Sequence, residues 1–164
     1  MPDHYNVLFL CTGNSARSLM AEAILNYRGK GRFIAYSAGS HPSGQPRTEA
    51  LKQIASAGMP ASGLRSKSWD EFAAPDAPKM DFVFTVCDHA ANEKCPYWPG
   101  QPMTAHWGIP DPAAVKGSPE EIARAFRDAF VVLDRRIGLF LSLPLGTLDR
   151  LAIKREVENI GRLQ

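Results

Sequence analysis

Cys11 and Arg17 bracket five residues, Thr12-Gly13-Asn14-Ser15-Ala16, and Ser18 follows at once. A thiol, a fork of guanidinium donors and a loop with Gly and Asn tolerant of positive φ can hold a tetrahedral oxyanion and attack its central atom with sulfur. Cys11 is the candidate nucleophile, and Thr12 to Arg17 are the candidate anion binders. Positive surroundings are expected to lower the thiol pKa, leaving Cys11 partly or fully thiolate at neutral pH. A lone Cys after a strand is ordinarily a small buried residue. The conjunction argues otherwise: an apolar run before the Cys, a Gly-Asn loop, Arg and Ser at fixed distance, and a helix directly behind.

The elements that position these residues are legible in the pattern. Val7-Leu8-Phe9-Leu10 reads as the core of a strand over 5–10, and Leu19, Met20, Ala23, Ile24 and Tyr27 recur at helical spacing over 17–29. A strand feeding a loop that opens a helix gathers backbone N–H groups at the positive end of the helix dipole. Further along come a strand at 33–37, a helix at 47–58, a short helix after Ser68 and a buried strand at 81–86. Met103 to Trp107 suits a fourth strand. Ser118-Pro119-Glu120-Glu121 is a helix start with Ser as N-cap and Glu at the third position. Ile122, Phe126, Phe130, Leu133, Ile137 and Leu141 continue it as one apolar stripe. The tail 145–164 reads as an extra helix packed on the body or on a second subunit.

Alternating strands and helices predict an α/β fold with a parallel sheet covered on both faces. Such sheets bind ligands at the carboxyl ends of their strands, where Cys11 and Cys87 both fall. Small residues at Ser37-Ala38-Gly39 suit a strand end that lies close to another backbone. The chain has 164 residues, 45% apolar and 22% charged, consistent with one globular domain with a substantial core. A net charge of +2 without a basic cluster argues against nucleic acid as a partner. The short apolar run near the start suits neither a membrane span nor a secretory signal, so a reducing cytoplasm is expected. Three cysteines then suit reactive thiols better than a disulfide framework.

Asp111 lies in Trp107-Gly108-Ile109-Pro110-Asp111-Pro112, where flanking prolines fix a loop able to present a carboxyl over the anion. It is the candidate general acid for a leaving oxygen; otherwise it is an Asp in a Pro-bracketed turn. A phosphatase would stop there, with no use for further thiols. Cys87 ends a neighbouring strand and Cys95 follows eight residues later. If Cys11 bonds to a reducible centre such as As(V), a second thiol can attack its sulfur, expel arsenite and leave a disulfide. On a regular helix, eight residues span about 12 Å, whereas a disulfide needs Cα atoms within about 7 Å. Pairing Cys87 with Cys95 would therefore require any helix between them to unwind or loop.

Val7 to Ser18, with Met20-Ala21-Glu22-Ala23, resembles the active-site segment of arsenate reductases built on the low-molecular-weight tyrosine phosphatase fold. The resemblance continues through Ser37-Ala38-Gly39, Gly44, Gly58, Ser66-Lys67-Ser68, Phe84-Thr85-Val86-Cys87, Cys95-Pro96 and His106-Trp107-Gly108 to Asp111-Pro112. It covers 5–142 and leaves 145–164 as a C-terminal extension. The resemblance implies a three-layer α/β/α fold with a four-stranded parallel sheet. It also implies roles: Cys11 as nucleophile, Arg17 and the loop amides as arsenate binders, and Ser18 as hydroxyl donor to the thiolate. Cys87 would be the second thiol, Cys95 the resolving thiol and Asp111 the acid. No bound cofactor is implied, but an external reductant is: thioredoxin, or glutathione with glutaredoxin. Phosphate or sulfate would mimic arsenate in the loop.

Phosphatases of this fold usually carry a second Cys inside the loop and aromatic residues after Asp-Pro; here Ala16 and Ala113-Ala114 stand there. Both departures favour the reductase over a phosphomonoester phosphatase using the same loop. A non-catalytic, redox-responsive anion-binding module is the other alternative. Some similar reductases bind potassium through an Asn and a Glu matching Asn14 and Glu22. The other ligands would come from near Ser66 and Ser68, where a carboxylate is missing, so no required metal is expected. His4, His41, His89 and His106 lack zinc-site spacing, and His106 is expected to be a packed or hydrogen-bonded support of the Asp111 loop.

Overall fold

The computed structural model describes residues 4–87, 98 and 101–163. Four strands, β1 (Tyr5–Leu10), β2 (Phe33–Ala38), β3 (Phe82–Thr85) and β4 (Met103–His106), form one parallel sheet in the order β2-β1-β3-β4. The helices are α1 (Arg17–Arg28), α2 (Thr48–Ser56), α3 (Asp70–Ala73), α4 (Pro119–Leu141) and α5 (Arg150–Arg162). Each strand and helix read from the pattern is present within a few residues of its expected ends. The segment between Cys87 and Cys95, in which any helix would have to unwind or loop for the two to pair, lies outside the described residues. Among the described residues, no helix is long and apolar enough to cross a membrane.

Central β1 explains its unbroken apolar run. Val7 and Phe9 point to a core shared with α1, α4 and α5, whereas Leu8 and Leu10 point to one shared with Phe72, Met80 and Trp98. Both sets are buried, because successive strand residues face opposite sides and both sides are covered. The result is a three-layer α/β/α arrangement. Phe84 stacks on Trp107 with ring centroids 4.1 Å apart, joining β3 to the segment after β4. At α4, the Ser118 side chain accepts from the Glu121 N–H, and the Glu121 side chain reaches back to the Ser118 N–H.

One apolar position departs from the pattern. Tyr27 continues the spacing of Leu19, Met20, Ala23 and Ile24, yet it is 54% exposed while those four are buried.

Candidate functional site

The loop from Cys11 to Ala16 links the end of β1 to the first turn of α1. Its carbonyls are tied to the segment that follows β2: Thr12 O accepts from His41 N (2.9 Å), Gly13 O from Ser43 N (2.9 Å) and Ser15 O from Arg47 N (2.8 Å). Every peptide described is trans, so the N–H groups of Gly13, Asn14 and Ala16 point the opposite way from these carbonyls. The Gly13 amide reaches the Cys11 sulfur. Asn14 takes φ 44°, a left-handed conformation that Asn tolerates. Gly39 is where the support passes closest, since a Cβ there would press on Cys11 O and Thr12 O. That is the close approach expected from Ser37-Ala38-Gly39.

Cys11 and Cys87 are both reduced thiols, buried at the carboxyl ends of adjacent strands. Backbone pairing continues past β3, with Val86 N donating to Leu10 O at 2.8 Å, so the two cysteines emerge side by side. Thr12 N–H donates to Cys87 Sγ at 3.4 Å, and Thr12 Oγ1 lies 3.7 Å from the same sulfur. Cys11 is not the ready thiolate expected from the loop. Its hydrogen bond with Cys87 and its burial push the thiol up, and these outweigh the opposing pull of Arg17 and of the Gly13 amide.

Arg17 extends across the loop toward the turn after β4. Its Nη1 donates to Ile109 O at 3.0 Å, and its Nη2 lies 3.7 Å from Asp111 Oδ2. Asp111 caps a short 3-10 turn over Pro112–Ala114, with Oδ1 accepting from Ala113 N at 2.9 Å. One carboxylate oxygen is thus held by its own turn, while the other faces the guanidinium. Since the Asp111 side chain is 44% exposed, the pair adds little stability, but it places a carboxyl beside the candidate anion-binding arginine. His106 is hydrogen-bonded as expected, but to β3 rather than to the Asp111 loop, with Nδ1 2.7 Å from Thr85 Oγ1.

Behind the loop lies a buried polar cluster. Asn14 Nδ2 donates to Ser18 Oγ at 2.7 Å, and Asn14 Oδ1 accepts from Lys67 N at 2.9 Å. Ser18 therefore has its acceptor role filled and its own O–H left to donate. Lys67 Nζ donates to Ser37 Oγ (3.3 Å) and Arg65 O (2.9 Å) and lies 3.6 Å from Glu22 Oε1. Ser37 Oγ donates a short hydrogen bond to Glu22. Burial pushes the Glu22 carboxyl up and the Lys67 amine down, and each charge opposes the other's shift. Glu22, one of the two residues matching a potassium site, already faces an ammonium that donates to oxygen acceptors, so a potassium ion does not fit beside it. Among the described residues, no group of three or more His, Cys, Asp or Glu is arranged to hold a metal ion.

The structure therefore gathers Cys11, Thr12, Gly13, Asn14, Ser15, Ala16, Arg17, Ser18, Cys87 and Asp111 at one edge of the sheet. Cys95 lies outside the described residues. Sequence reasoning gave no role to Lys67, nor to the amides of His41, Ser43 and Arg47 that hold the loop. Backbone donors leave no residue-type signal, and Lys67 becomes meaningful only once Glu22 is known to face it.

Residues 6–156 match the family of low molecular weight phosphotyrosine protein phosphatases. Among curated proteins, the arsenate reductase of Halalkalibacterium halodurans is 37% identical over 137 residues, covering 82% of this chain and 93% of that protein. The arsenate reductase of Bacillus licheniformis is 38% identical over 134 residues, with the same shares covered. A solved structure of an arsenate reductase in the phosphate-binding state is 25% identical with a TM-score of 0.69, covering 84% of this chain and 97% of that one. The match over most of the chain makes this protein a member of the low molecular weight phosphotyrosine protein phosphatase family, with relatives in it that are named arsenate reductases.

Proposed function

We propose that this protein reduces arsenate to arsenite through a relay of its own thiols. One observation carries the reading. Cys87 sits in hydrogen-bonding contact with the nucleophile Cys11, on a strand adjacent to the anion loop. A phosphate ester needs no second thiol there, whereas an arsenic(V) centre needs an electron pair. The relatives named arsenate reductase support the same chemistry.

Arsenate enters the loop, its oxygens bound by the amides and by Arg17. Cys11 sulfur attacks arsenic as one oxygen leaves. The thiol proton and the hydroxyl of hydrogen arsenate depart together as water, with Asp111 delivering a proton to the leaving oxygen and regaining one from the thiol. Because the Cys11 thiol keeps its proton in the ligand-free site, that proton leaves during the attack, through Asp111, and ends in the released water. Ser18 donates its O–H to the sulfur as charge develops. Cys87 sulfur then attacks Cys11 sulfur and the S–As bond breaks. Arsenic keeps that electron pair and leaves as arsenite, while the two sulfurs are oxidised to a disulfide. Cys95 takes over the pairing with Cys87, and an external thiol reductant resets the chain. Thioredoxin is the first choice, with glutathione and glutaredoxin the alternative, in a reducing cytoplasm.

The test is a single turnover of reduced protein with arsenate and no added reductant. About one arsenite per chain with two thiols lost, abolished in Cys11→Ser and Cys87→Ser, is the expected result. Turnover only after glutathione is added would move the reductant outside the chain. No arsenite under either condition would sink the reading.

A further inference from the structure

Arg136 of α4 is 4% exposed, yet among the described residues its guanidinium meets no carboxylate within ion-pair distance. It is surrounded instead by carbonyls. Nη1 donates to Trp107 O at 2.7 Å and Gly108 O at 3.2 Å, while Nη2 and Nε donate to Leu163 O at 2.8 and 3.2 Å. Burying a charge against neutral acceptors is costly, and burial holds the guanidinium below its usual pKa. What this arrangement achieves is a junction between two places remote in sequence: the segment leading from β4 to Asp111, and the carboxyl end of α5. The negative end of the helix dipole complements the cation there.

A second set of contacts binds the same two places. Trp107 is fully buried, and its indole N–H donates to Val157 O in α5 at 2.9 Å. Gly161 lies so close that a Cβ would press on His106 O and on the Trp107 ring. Only two residues past Trp107, Ile109 O accepts from Arg17, and Asp111 follows beside the same guanidinium. A displacement at 107–108 is therefore passed directly to the acid and to the anion-binding fork.

We propose that Arg136 is a positioning residue for the Asp111 loop, and that α5 is part of the frame of the active site through its Leu163 carbonyl. The inference rests on the reading of Asp111 as the acid. Arg136 touches neither substrate nor sulfur; it acts by holding the Trp107 and Gly108 carbonyls in place.

Arg136→Met in the full chain, alone and combined with Asp111→Asn, tests this through two readouts: single-turnover arsenite release, and amide hydrogen exchange across 107–114. Arg136→Met is expected to speed exchange in 107–114 while leaving β1 and α1 unchanged. It should slow arsenite release about tenfold or more, since small misplacements of a reacting group cost about that much. In the Asp111→Asn background its further effect should be less than about twofold, because the two residues act as one unit. Equal losses in both backgrounds, or unchanged exchange in 107–114, overturn the proposal. If Arg136→Met fails to fold, Gly161→Ala loosens the same junction and is read in the same way. A wild-type chain that releases no arsenite would sink the reductase reading, and the exchange comparison would then decide the positioning role.

Discussion

The Thr12 backbone N–H donates to Cys87 Sγ at 3.4 Å, so the residue that follows the first thiol in sequence holds the second one in space. The two sulfurs are thereby registered to each other through main chain, which no substitution at Thr12 other than proline removes. A relay between thiols needs this fixed approach, because a disulfide forms only within narrow distance and angle limits.

Removing either sulfur should separate the two chemical steps. Cys11→Ser is expected to lower arsenite release by at least about a thousandfold, with no covalent arsenic on the chain. Cys87→Ser should lose arsenite release to the same degree but retain the first step. Mass spectrometry of the acid-quenched Cys87→Ser protein checks for an arsenic adduct at Cys11.

The protonation of Cys11 depends on its partner. Alkylation by iodoacetamide in ligand-free protein should titrate above an ordinary thiol, for which the pKa is about 8.5. Cys87→Ala removes the first cause of the upward shift and should bring the titration down. Stability follows the same sign. The folded thiol keeps a proton that the unfolded one loses, so its contribution is present below about pH 8.5 and is lost as the pH rises beyond that. An unchanged alkylation profile in Cys87→Ala would contradict this account.

Asp111→Asn should slow arsenite release about a hundredfold, the usual scale for losing a general acid. Phosphate binding to the loop should not weaken, because the substitution removes a negative charge 3.7 Å from Arg17 Nη2. Calorimetric titration with inorganic phosphate, run beside the rate measurement, tells a lost acid from a collapsed anion site.

The Glu22–Lys67 pair predicts indifference to the alkali cation. Arsenite release and thermal midpoint should agree in sodium and potassium buffers of equal ionic strength. Lys67→Met should destabilise the fold by about 3 kcal/mol at pH 8, the scale for breaking a buried pair from one side. Burial already pushes the Glu22 carboxyl up, and losing the ammonium raises it further. The folded variant then binds a proton more readily than its unfolded chain, so the loss should shrink toward pH 5. Urea melts at the two pH values would show a constant loss if Glu22 were not the responsible group.

Much of the architecture was legible because it rests on local rules. Val7 to Leu10 reads as a buried central strand, and Ser118 with Glu121 marks a helix start that the structure reproduces as a reciprocal cap. The four-stranded parallel sheet follows from the alternation of elements. The thiolate expectation for Cys11 failed for a nonlocal reason: the group that most raises its pKa is Cys87, 76 positions away. Tyr27 failed similarly, since helical spacing names a face but not whether anything covers it.

By itself, the sequence determined which groups exist and which neighbours they keep along the chain: a thiol and a guanidinium across a Gly-Asn loop, two further cysteines, and an Asp held between prolines. Spacing along a strand or a turn is set by backbone geometry, so those relationships survive any packing. Tertiary structure alone decided that Thr12 would hold Cys87, that Lys67 would stand against Glu22, and that Arg136 would tie the Asp111 loop to the end of α5. Each joins segments at least 27 residues apart. Which surfaces meet is settled by burying the whole apolar content of the chain at once, and no local pattern records that outcome.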